Sequence, residues 1–535
     1  MTEIFIDLNR GNDSNPGTQE APWASLLKID DANYTAGDTI YLADDSDWYY
    51  DLSSRVLVPV GWTGTRARPV RITKYSPSSQ SMGQKPQISW NRKILAREWV
   101  YNAPNNAWTY TAPFNVGFLC LLRINNTWES SRNDAGIPLD SVDGRYWAQG
   151  TTLYLYAPST VNPTEYYGEV LLSVTGVGFF TVSNNRQFVQ FDNIRFKETG
   201  CGIFGYSDTA ADVGIKVQEV HGETCSAIVT ANTVGANGQL YIDIKEVTAN
   251  NWGPAVIHGV STNGAGFKQF DVFKCDIGPG LHSHSQGAVY CQVRSPGLRP
   301  RIFWNKFRNV NWGTKDKTDD GCAIYCETGS DNVLVYGNLV KDSYMAFQDG
   351  SGRSNTWLAN VALNCKSFMR FGDGAGNNAM NLKVWNNTAV VGANIKATYG
   401  DGVPEFGIRG YKDAGTITNI DIRNNLIYNI SEAADYAAII TPQITPGASD
   451  YSNNAVFGNY TNVARREYTP FTVESTPNSI TADPLVNPDF TLKGTSPLIE
   501  AGVRLGEYRD AKGGAYWNLP SIGAYEYERP RIART

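Results

Sequence analysis

The sequence lacks several features that would place it in common functional classes. Helical periodicity is nearly absent, and no apolar run approaches the length of a membrane-spanning helix. Lys and Arg number 46 against 52 Asp and Glu, so the chain has no overall positive charge to attract nucleic acid. We therefore expect neither a nucleic-acid partner nor a membrane partner.

Metal-binding patterns are also missing. Only four histidines are present, and the eight cysteines form no CxxC pair and have no histidine at zinc-site spacing. His282 and His284 share one polar turn, but no third ligand accompanies them. We expect free buried thiols, no metal and no cofactor. The first residues, MTEIFID, have neither the basic nor the apolar segment of a Sec signal peptide, so none is expected.

Short strand-like runs recur between about residues 180 and 460. Many end in asparagine, at Asn338, Asn360, Asn387 and Asn425. Their spacing, roughly 22 to 38 residues, matches one coil of a solenoid whose turns vary in length. Asparagines stacked in successive coils would form an amide ladder. The pattern predicts an all-β fold, a right-handed single-stranded parallel β-helix of about ten coils. A two-sheet sandwich is the alternative, but it does not account for the coil-length repeat.

The pattern also predicts four segments. Residues 1–90 form an N-terminal cap and opening coil, and residues 173–460 form the β-helix with its substrate face. Between them, residues 91–172 are richer in aromatics and lack the Asn turn, which indicates a small inserted antiparallel β module. In residues 461–535 the repeat fades into a loop-rich segment that caps the open end of the solenoid.

Both ends of the chain carry motifs of a known superfamily. The opening motifs are IDLNRGNDSNPGT (6–18), PWASL (22–26) and AGDTIYL (36–42), and the closing ones are DPL (483–485), SPLIEAG (496–502) and SIGAYEY (521–527). These resemble the right-handed parallel β-helix proteins of the pectate-lyase-like superfamily. Within it, the chain looks most like a phage tailspike polysaccharide depolymerase.

The resemblance implies a bacterial surface polysaccharide, capsule or O-antigen, as substrate. It also implies a homotrimer located in the virion, in the bacteriophage tail, and acting outside the cell. No head-binding module is recognisable before the opening coil, so attachment through a phage tail protein is expected.

Strand alternation assigns side chains to the two faces of one sheet. The inward stack is Ile257, Val289, Ile324, Phe347, Phe371 and Ile408. The following outward positions are His258, Tyr290, Tyr325, Gln348, Gly372 and Arg409. The preceding positions, also assigned outward, are Val256, Ala288, Ala323, Ala346, Arg370 and Gly407. Aromatic and basic side chains among small ones favour a sugar-binding floor with room above it, whereas a solvated or trimer-packed surface is the alternative.

Three carboxylates, Glu327, Asp349 and Asp373, follow strands of three successive coils. Asp349 and Asp373 are assigned the same register, about 4.8 Å apart, and Glu327 lies about 9.6 Å from Asp373. The short distance suits a retaining glycosidase and the long one an inverting glycosidase. The alternative is that Asp349 and Asp373, each followed by Gly, are turn residues bonded to their own backbone.

We therefore expect an endo-acting glycoside hydrolase with Glu327, Asp349 and Asp373 as its catalytic residues. The substrate-binding residues would be His258, His284, Tyr290, Tyr325, Gln348, Arg353, Arg370 and Arg409. Two alternatives remain. A polysaccharide lyase would use Arg, Lys, His or Tyr as the base for β-elimination on a uronate polymer. A non-catalytic tail protein or adhesin would bind the polymer without shortening it.

Overall fold

The computed structural model describes most of the chain. The described residues are 1–54, 56–57, 62–77, 84–113, 120–124, 127–130, 146–174, 178–183, 188–209, 212–234, 239–253, 255–261, 266–280, 287–293, 298–310, 321–350, 352–373, 379–391, 406–412, 417–430, 435–441, 449–458, 460–466, 476–506 and 508–528. The fold is all-β, a right-handed parallel β-helix with a small antiparallel module, as predicted. No helix within these residues is long and apolar enough to cross a membrane.

The chain divides into two compact units. Unit 1 comprises Met1–Phe270, Asp276–Tyr290 and Asp316–Gly321; unit 2 comprises Asp271–Cys275, Cys291–Lys315 and Cys322–Thr535. Each unit contains coils whose strands contribute in turn to three parallel sheets, here called the first, second and third sheets.

Unit 1 begins with residues 1–75 and continues after the antiparallel insertion. Its first-sheet strands are Glu3–Ile6, Thr39–Ala43, Val70–Tyr75, Val189–Asp192, Asp212–Gln218, Gln239–Lys245 and, as far as Phe270, Gly266–Phe273. The second-sheet strands are Asp47–Asp51, Gln87–Ile94, Arg195–Lys197, His221–Glu223, Thr248–Asn250 and Asp276–Ile277. The third-sheet strands are Val56–Leu57, Phe180–Ser183, Cys201–Ser207, Ala227–Thr233, Ile257–Ser261 and, as far as Tyr290, Val289–Gln292.

The antiparallel module also belongs to unit 1. Three strands extend the second sheet beyond Gln87–Ile94: Cys120–Ile124, Thr127–Ser130 and Val170–Val174. A separate four-stranded sheet contains Val100–Asn102, Ala107–Thr111, Tyr146–Gln149 and Thr152–Leu155. The short helices are 3₁₀ turns at Leu26–Asp31, Ala96–Glu98 and Ala103–Asn105, and one α-helix at Pro163–Tyr167.

Unit 2 repeats the same three-sheet coil. Its first-sheet strands are Arg301–Phe303, Leu334–Tyr336, Thr356–Leu358, Lys383–Trp385 and Asp421–Arg423. The second-sheet strands are Lys306–Arg308, Leu339–Lys341, Val361–Cys365, Thr388–Val391, Leu426–Asn429 and Ala455–Gly458. The third-sheet strands are Cys322–Cys326, Met345–Gly350, Ser367–Asp373, Phe406–Lys412, Asp435–Thr441 and Tyr460–Arg466; Ala379–Met380 also pairs with Ile417–Thr418.

The predicted asparagine ladder stands at the corner between the first and second sheets of unit 2. Asn338 donates from Nδ2 to Oδ1 of Asn360 at 3.0 Å, and Asn360 donates in the same way to Asn387 at 3.1 Å. Each Oδ1 also accepts the backbone N–H of the asparagine in the preceding coil. Asn305 and Asn454 extend the ladder beyond the predicted members. Every side-chain amide is buried, and the ladder thus ties consecutive coils together.

The residue before each ladder asparagine adopts the left-handed conformation. These residues, with positive φ, are Trp304, Gly337, Ala359, Asn386, Asn424 and Asn453. Asn and Gly tolerate this conformation, whereas Trp304 and Ala359 are unusual there. The corner therefore has a conserved backbone geometry in successive coils, whatever the residue type.

Seven cysteines are free and buried, as expected: Cys201, Cys225, Cys275, Cys291, Cys322, Cys326 and Cys365. Burial raises the pKa of the Cys201 thiol to about 11 and that of the Cys225 thiol to about 12. Such thiols are protonated at neutral pH and act as small apolar core residues.

Candidate active site

The outward row of the third sheet in unit 2 holds four polar side chains in register. Tyr325 pairs with Gln348, Gln348 with Arg370, and Arg370 with Arg409. Tyr325, Gln348 and Arg409 thus share one register, as the sequence predicted. Arg370 occupies the place that was assigned to Gly372. The two arginines lie on neighbouring strands, so their guanidinium groups start from backbones about 4.8 Å apart.

Arg370 was misplaced because the predicted alignment of its strand with Met345–Gly350 is wrong by two residues. Phe347 pairs with Met369, not with Phe371, because the coil between Asn338 and Asn360 is 22 residues long. A shift of two preserves the alternation of faces, so the apolar pattern alone could not reveal it. Asp349 consequently pairs with Phe371, and Asp373 does not share its register. The prediction that the two aspartates are adjacent rungs is wrong.

The row of small residues also differs from the prediction. In unit 2, Ala323 and Ala346 are completely buried, and Phe368 packs edge-on against Phe347 with ring centroids 5.3 Å apart. A Cβ on Gly407 would lie 2.5 Å from the Ile427 side chain of the second sheet. In unit 1, the corresponding Val256 and Ala288 are likewise buried.

The cause is a local irregularity in the sheet. Strand pairing runs from Cys322↔Met345 directly to Ile324↔Phe347, without a pair at the residue between them. The intervening Ala323 and Ala346 are completely buried. These positions therefore provide no open floor above the sheet.

The outward row itself is recessed. Tyr325 is 6% exposed and Gln348 only 1%, whereas Arg370 and Arg409 are half-buried. Hydrogen bonds between polar side chains at this depth are strong, because the local dielectric constant is low. The expectation of a broad exposed platform does not hold at Tyr325 and Gln348.

Glu327 follows the strand Cys322–Cys326 and is half-buried. Its Oε1 accepts the N–H of Thr328 at 2.7 Å. A Cβ on Gly350, in the next coil, would lie 3.3 Å from this Oε1 and 3.0 Å from the Tyr325 hydroxyl. The absent side chain at Gly350 thus leaves room for the carboxylate and the phenol to approach one another.

Two residues not identified from the sequence secure this turn. Thr328 donates from Oγ1 to the carbonyl of Gly350 at 3.0 Å, and Gln292 donates from Nε2 to the carbonyl of Thr328 at 2.8 Å. The segment Glu327–Ser330 is also closed by the N–H of Ser330, which donates to the Glu327 carbonyl. A strand followed by Thr-Gly-Ser is a turn signal, but nothing in it points to Gln292.

Asp349 lies inside the coil and not on its outer surface. The side chain is 1% exposed, and its two oxygens accept from the N–H of Gly352, Nδ2 of Asn355 and Nε1 of Trp357 at 2.8, 3.0 and 2.9 Å. Burial raises the pKa of the Asp349 carboxyl against the effect of these hydrogen bonds, and the charge of Glu327 raises it further. The predicted outward position of Asp349 is wrong; alternation places it on the same side as Phe347.

The remaining candidates are more scattered. Arg353 is exposed in the turn after Met345–Gly350, and its backbone forms a parallel bridge with Asp331. Asp373 pairs through its backbone with Lys412, but its side chain lies outside the described residues, as does His284. No cluster of three or more potential metal ligands occurs in the described part of the chain.

Unit 1 carries its own outward pair. His258 and Tyr290 stack with ring centroids 4.7 Å apart and an interplanar angle of 16°. His258 also pairs in register with Thr230 of the preceding strand. The sequence placed both rings on the outward side of neighbouring coils, and their stacking agrees with that placement.

Comparisons with known proteins give no family. No family model matches the chain, and neither does any curated protein. Among solved structures, the complex of XylC with xylose is 11% identical, with 99% of each chain covered and a TM-score of 0.52. Lower TM-scores, 0.36 and 0.25, relate it to a lacto-N-biosidase from Eubacterium ramulus (10% identity, 90% of this chain and 68% of that one) and to the tailspike of Pseudomonas phage phi297 (12%, 83% and 71%). At this identity, the likeness to the XylC structure shows a common fold.

Proposed function

We propose that the chain is a carbohydrate-active enzyme that cleaves an acidic bacterial surface polysaccharide by endo-hydrolysis. The observation that carries the proposal is the outward row Tyr325, Gln348, Arg370 and Arg409, which ends beside the Glu327 carboxylate. Two neighbouring arginines suit a sugar acid, because guanidinium binds carboxylate in a bidentate geometry. Solved structures similar to this chain include a glycoside hydrolase, a lacto-N-biosidase and a rhamnogalacturonan lyase, which is consistent with the proposal.

Glu327 is proposed as the general acid. It is half-buried and close to the Tyr325 phenol, whereas Asp349 is enclosed by three donors. Asp349 acts in this proposal as a positioning residue that holds the turn around Gly352. Asp373 remains the proposed second carboxylate, and Tyr325, Gln348, Arg370 and Arg409 are proposed to hold the sugar chain.

A polysaccharide lyase is the second candidate, and one observation favours it. Tyr325 lies in the same outward row as Arg370 and Arg409, so a phenolic base and two carboxylate-neutralising cations share one surface. In β-elimination, the base removes the proton alpha to the uronate carboxyl group, and the glycosidic oxygen leaves as a double bond forms.

The test is to incubate the full chain with a panel of capsular polysaccharides and lipopolysaccharides and to size the products. We expect Glu327→Gln to lower the rate by about 10²–10⁴-fold, which is typical for loss of a general acid. Asp331→Asn, an exposed carboxylate a few residues away, serves as the matched control and should retain full activity.

Product chemistry separates the candidates. Hydrolysis gives saturated ends, whereas elimination gives an unsaturated uronate that absorbs in the ultraviolet. Retention of wild-type activity by a folded Glu327→Gln variant would refute the assignment of Glu327. Polymer binding with no change in polymer length would instead support a non-catalytic adhesin.

The biological setting is proposed from the motifs at the two chain ends. In this proposal the chain is a homotrimeric phage tailspike, held on the virion by a tail protein, and it acts outside the cell. Detection of the chain in purified virions by mass spectrometry would test this location.

A further inference from the structure

A cavity of about 490 Å³ lies in unit 2, at the corner between the first and second sheets. One wall comes from the coil corners, with Trp304, Lys306 and Gly337, and another from the closing segment, with Arg509 and Lys512. None of the outward residues of the third sheet lines it. The cavity is therefore separate from the candidate active site.

The charged residues among the described lining of this cavity are all basic. Lys274, Lys306, Arg509 and Lys512 line it, and no Asp or Glu is among the lining residues. The four cations come from three distant parts of the chain, so the fold brings them together against their mutual repulsion. Lys512 lies 4.0 Å from carboxylate oxygens of Asp489 and Glu528, at the limit of an ion pair.

The closing segment is held in place by a buried carboxylate. Asp510 is 4% exposed and accepts the backbone N–H groups of Gly514 at 2.6 Å and Lys512 at 3.1 Å. Tyr336 of the first sheet donates its hydroxyl to the carbonyl of Asp510 at 3.2 Å. Arg509 and Lys512 are thus presented from a loop whose backbone is fixed on both sides of them.

Trp304 supplies an aromatic surface in the same cavity. It adopts the left-handed conformation, with φ of 55°, and its ring is 38% exposed. The ring rests on Gly337, where a Cβ would lie 2.7 Å from the ring atom Cδ1. Left-handed backbone is costly for a bulky residue, and the other coil corners use Asn or Gly more often. The partly exposed Trp304 side chain is thus held at the cavity by a corner whose backbone conformation recurs in the other ladder coils.

We propose that this cavity is a second saccharide-binding site, which takes a sugar residue bearing a carboxylate or sulfate group. The Trp304 ring stacks on the face of the sugar, and Lys274, Lys306, Arg509 and Lys512 neutralise the anionic group. Aromatic stacking combined with several cations favours an acidic sugar over both a neutral sugar and a free inorganic anion.

The experiment measures binding of labelled oligosaccharides to the full chain. The probes are tetragalacturonate, its methyl-esterified neutral form and a sulfated heparin hexasaccharide. Trp304→Asn removes the ring while keeping a residue that suits left-handed backbone, as in the corners at Asn386 and Asn424. Lys306→Gln removes one cation, and Lys493→Gln, an exposed lysine outside the cavity, is the control.

We expect at least one acidic probe to bind, the neutral ester to bind at least about tenfold more weakly, and Trp304→Asn and Lys306→Gln each to weaken the acidic probe by about tenfold. Lys493→Gln should bind like the wild type. Absence of binding by both acidic probes, or binding that Trp304→Asn and Lys306→Gln leave unchanged, would overturn the proposal. Circular dichroism establishes that the variants fold, and their depolymerase activity reports on the other face separately.

Discussion

Asp349 illustrates how one side chain in a β-solenoid can be fixed by its hydrogen-bonding capacity. A carboxylate accepts hydrogen bonds and donates none, and the three groups that face Asp349 are all donors. Asn355 in turn accepts the N–H of Val333 through its Oδ1. The network joins the third sheet to the first within one coil, so its disruption should affect folding more than chemistry.

Asp349→Asn is therefore expected to destabilise the protein. The amide can offer only one oxygen, so its NH₂ group faces donors that lose their acceptor. Each buried donor left unpaired costs about 1–3 kcal/mol. Chemical denaturation should show a lower free energy of unfolding for Asp349→Asn, with Asp331→Asn unchanged. Equal stability of the two variants would contradict this account.

The raised pKa of Asp349 predicts that the stability of the protein depends on pH. Burial raises the pKa of Asp349 in the folded state above its value in the unfolded chain, about 3.9. Its protonated form therefore contributes stability that is fully present below pH 3.9, roughly, and is lost as the pH rises through the folded-state pKa. The stability difference between wild type and Asp349→Asn should narrow as the pH is raised. A difference that widens with pH would show that the hydrogen bonds outweigh burial.

For single residues, sequence reasoning failed where strand register decides which side chains are neighbours. Tyr325 and Gln348 were assigned a common register correctly, because their neighbours Ile324 and Phe347 are unambiguously apolar. Phe371 and Met369 are both apolar and have the same parity, so only the coil length distinguishes them. The turn-residue alternative for Asp349 describes its bond to Gly352, although its partners Asn355 and Trp357 could not be anticipated.

Among the elements, the asparagine ladder is the feature that the sequence predicted most directly. Its members recur at the ends of strand-like runs. Each side-chain amide forms hydrogen bonds with backbone groups that the corner would otherwise leave unpaired. In unit 1 the same corner positions hold Ile194, Val220 and Val247, all buried. Apolar residues there pack without hydrogen bonds, so the ladder is a property of unit 2 within the described residues.

Asn360→Ala should be among the most damaging single changes in unit 2. It removes the acceptor of two N–H groups of Asn338 and the donor to both Val335 and Asn387. At about 1–3 kcal/mol for each buried polar group left unpaired, the loss is a large part of the stability of a typical domain. Thermal unfolding should show a clear decrease in Tm.

Asn518→Ala, at an exposed asparagine, is the control for this change and should leave Tm nearly the same. If Asn360→Ala unfolds at the wild-type temperature, the coils do not depend on the ladder for their cohesion.

The faces of strands could not be predicted where the pairing between neighbouring strands is interrupted. Alternation assumes a regular pleat, and it assigned Ala323 and Ala346 to the outside. The missing pair between Cys322↔Met345 and Ile324↔Phe347 reverses that assignment, and no residue in the sequence marks the irregularity. Small residues at this position fill a crowded corner of the core.

For the molecule as a whole, the remaining prediction is its assembly. The tailspike resemblance implies a homotrimer, and a recessed polar row is compatible with a protein whose exterior is shared with other copies. Light scattering should then give three times the chain mass of 58.8 kDa. A particle with the mass of a single chain would contradict the trimer and leave the proposed chemistry of Glu327 untouched.

The fold class could be predicted because composition, coil-length repeat and end motifs all point to a solenoid. The site could be predicted only in part. Gln348 and Arg370 become neighbours through hydrogen bonds across separate coils, and the cavity at Trp304 forms where the closing segment meets coil corners. Both depend on long-range geometry that local patterns do not contain.

The ladder spacing has a consequence for how such a chain can diversify. Successive ladder asparagines are 33, 22, 27, 38 and 29 residues apart, yet each pair is joined by the same side-chain amide hydrogen bond. The extra residues must therefore enter as turns outside the strands. Turns tolerate insertion and deletion far better than strands do. The turns could therefore change in length and sequence while the strands keep Tyr325, Gln348, Arg370 and Arg409 at the same interval.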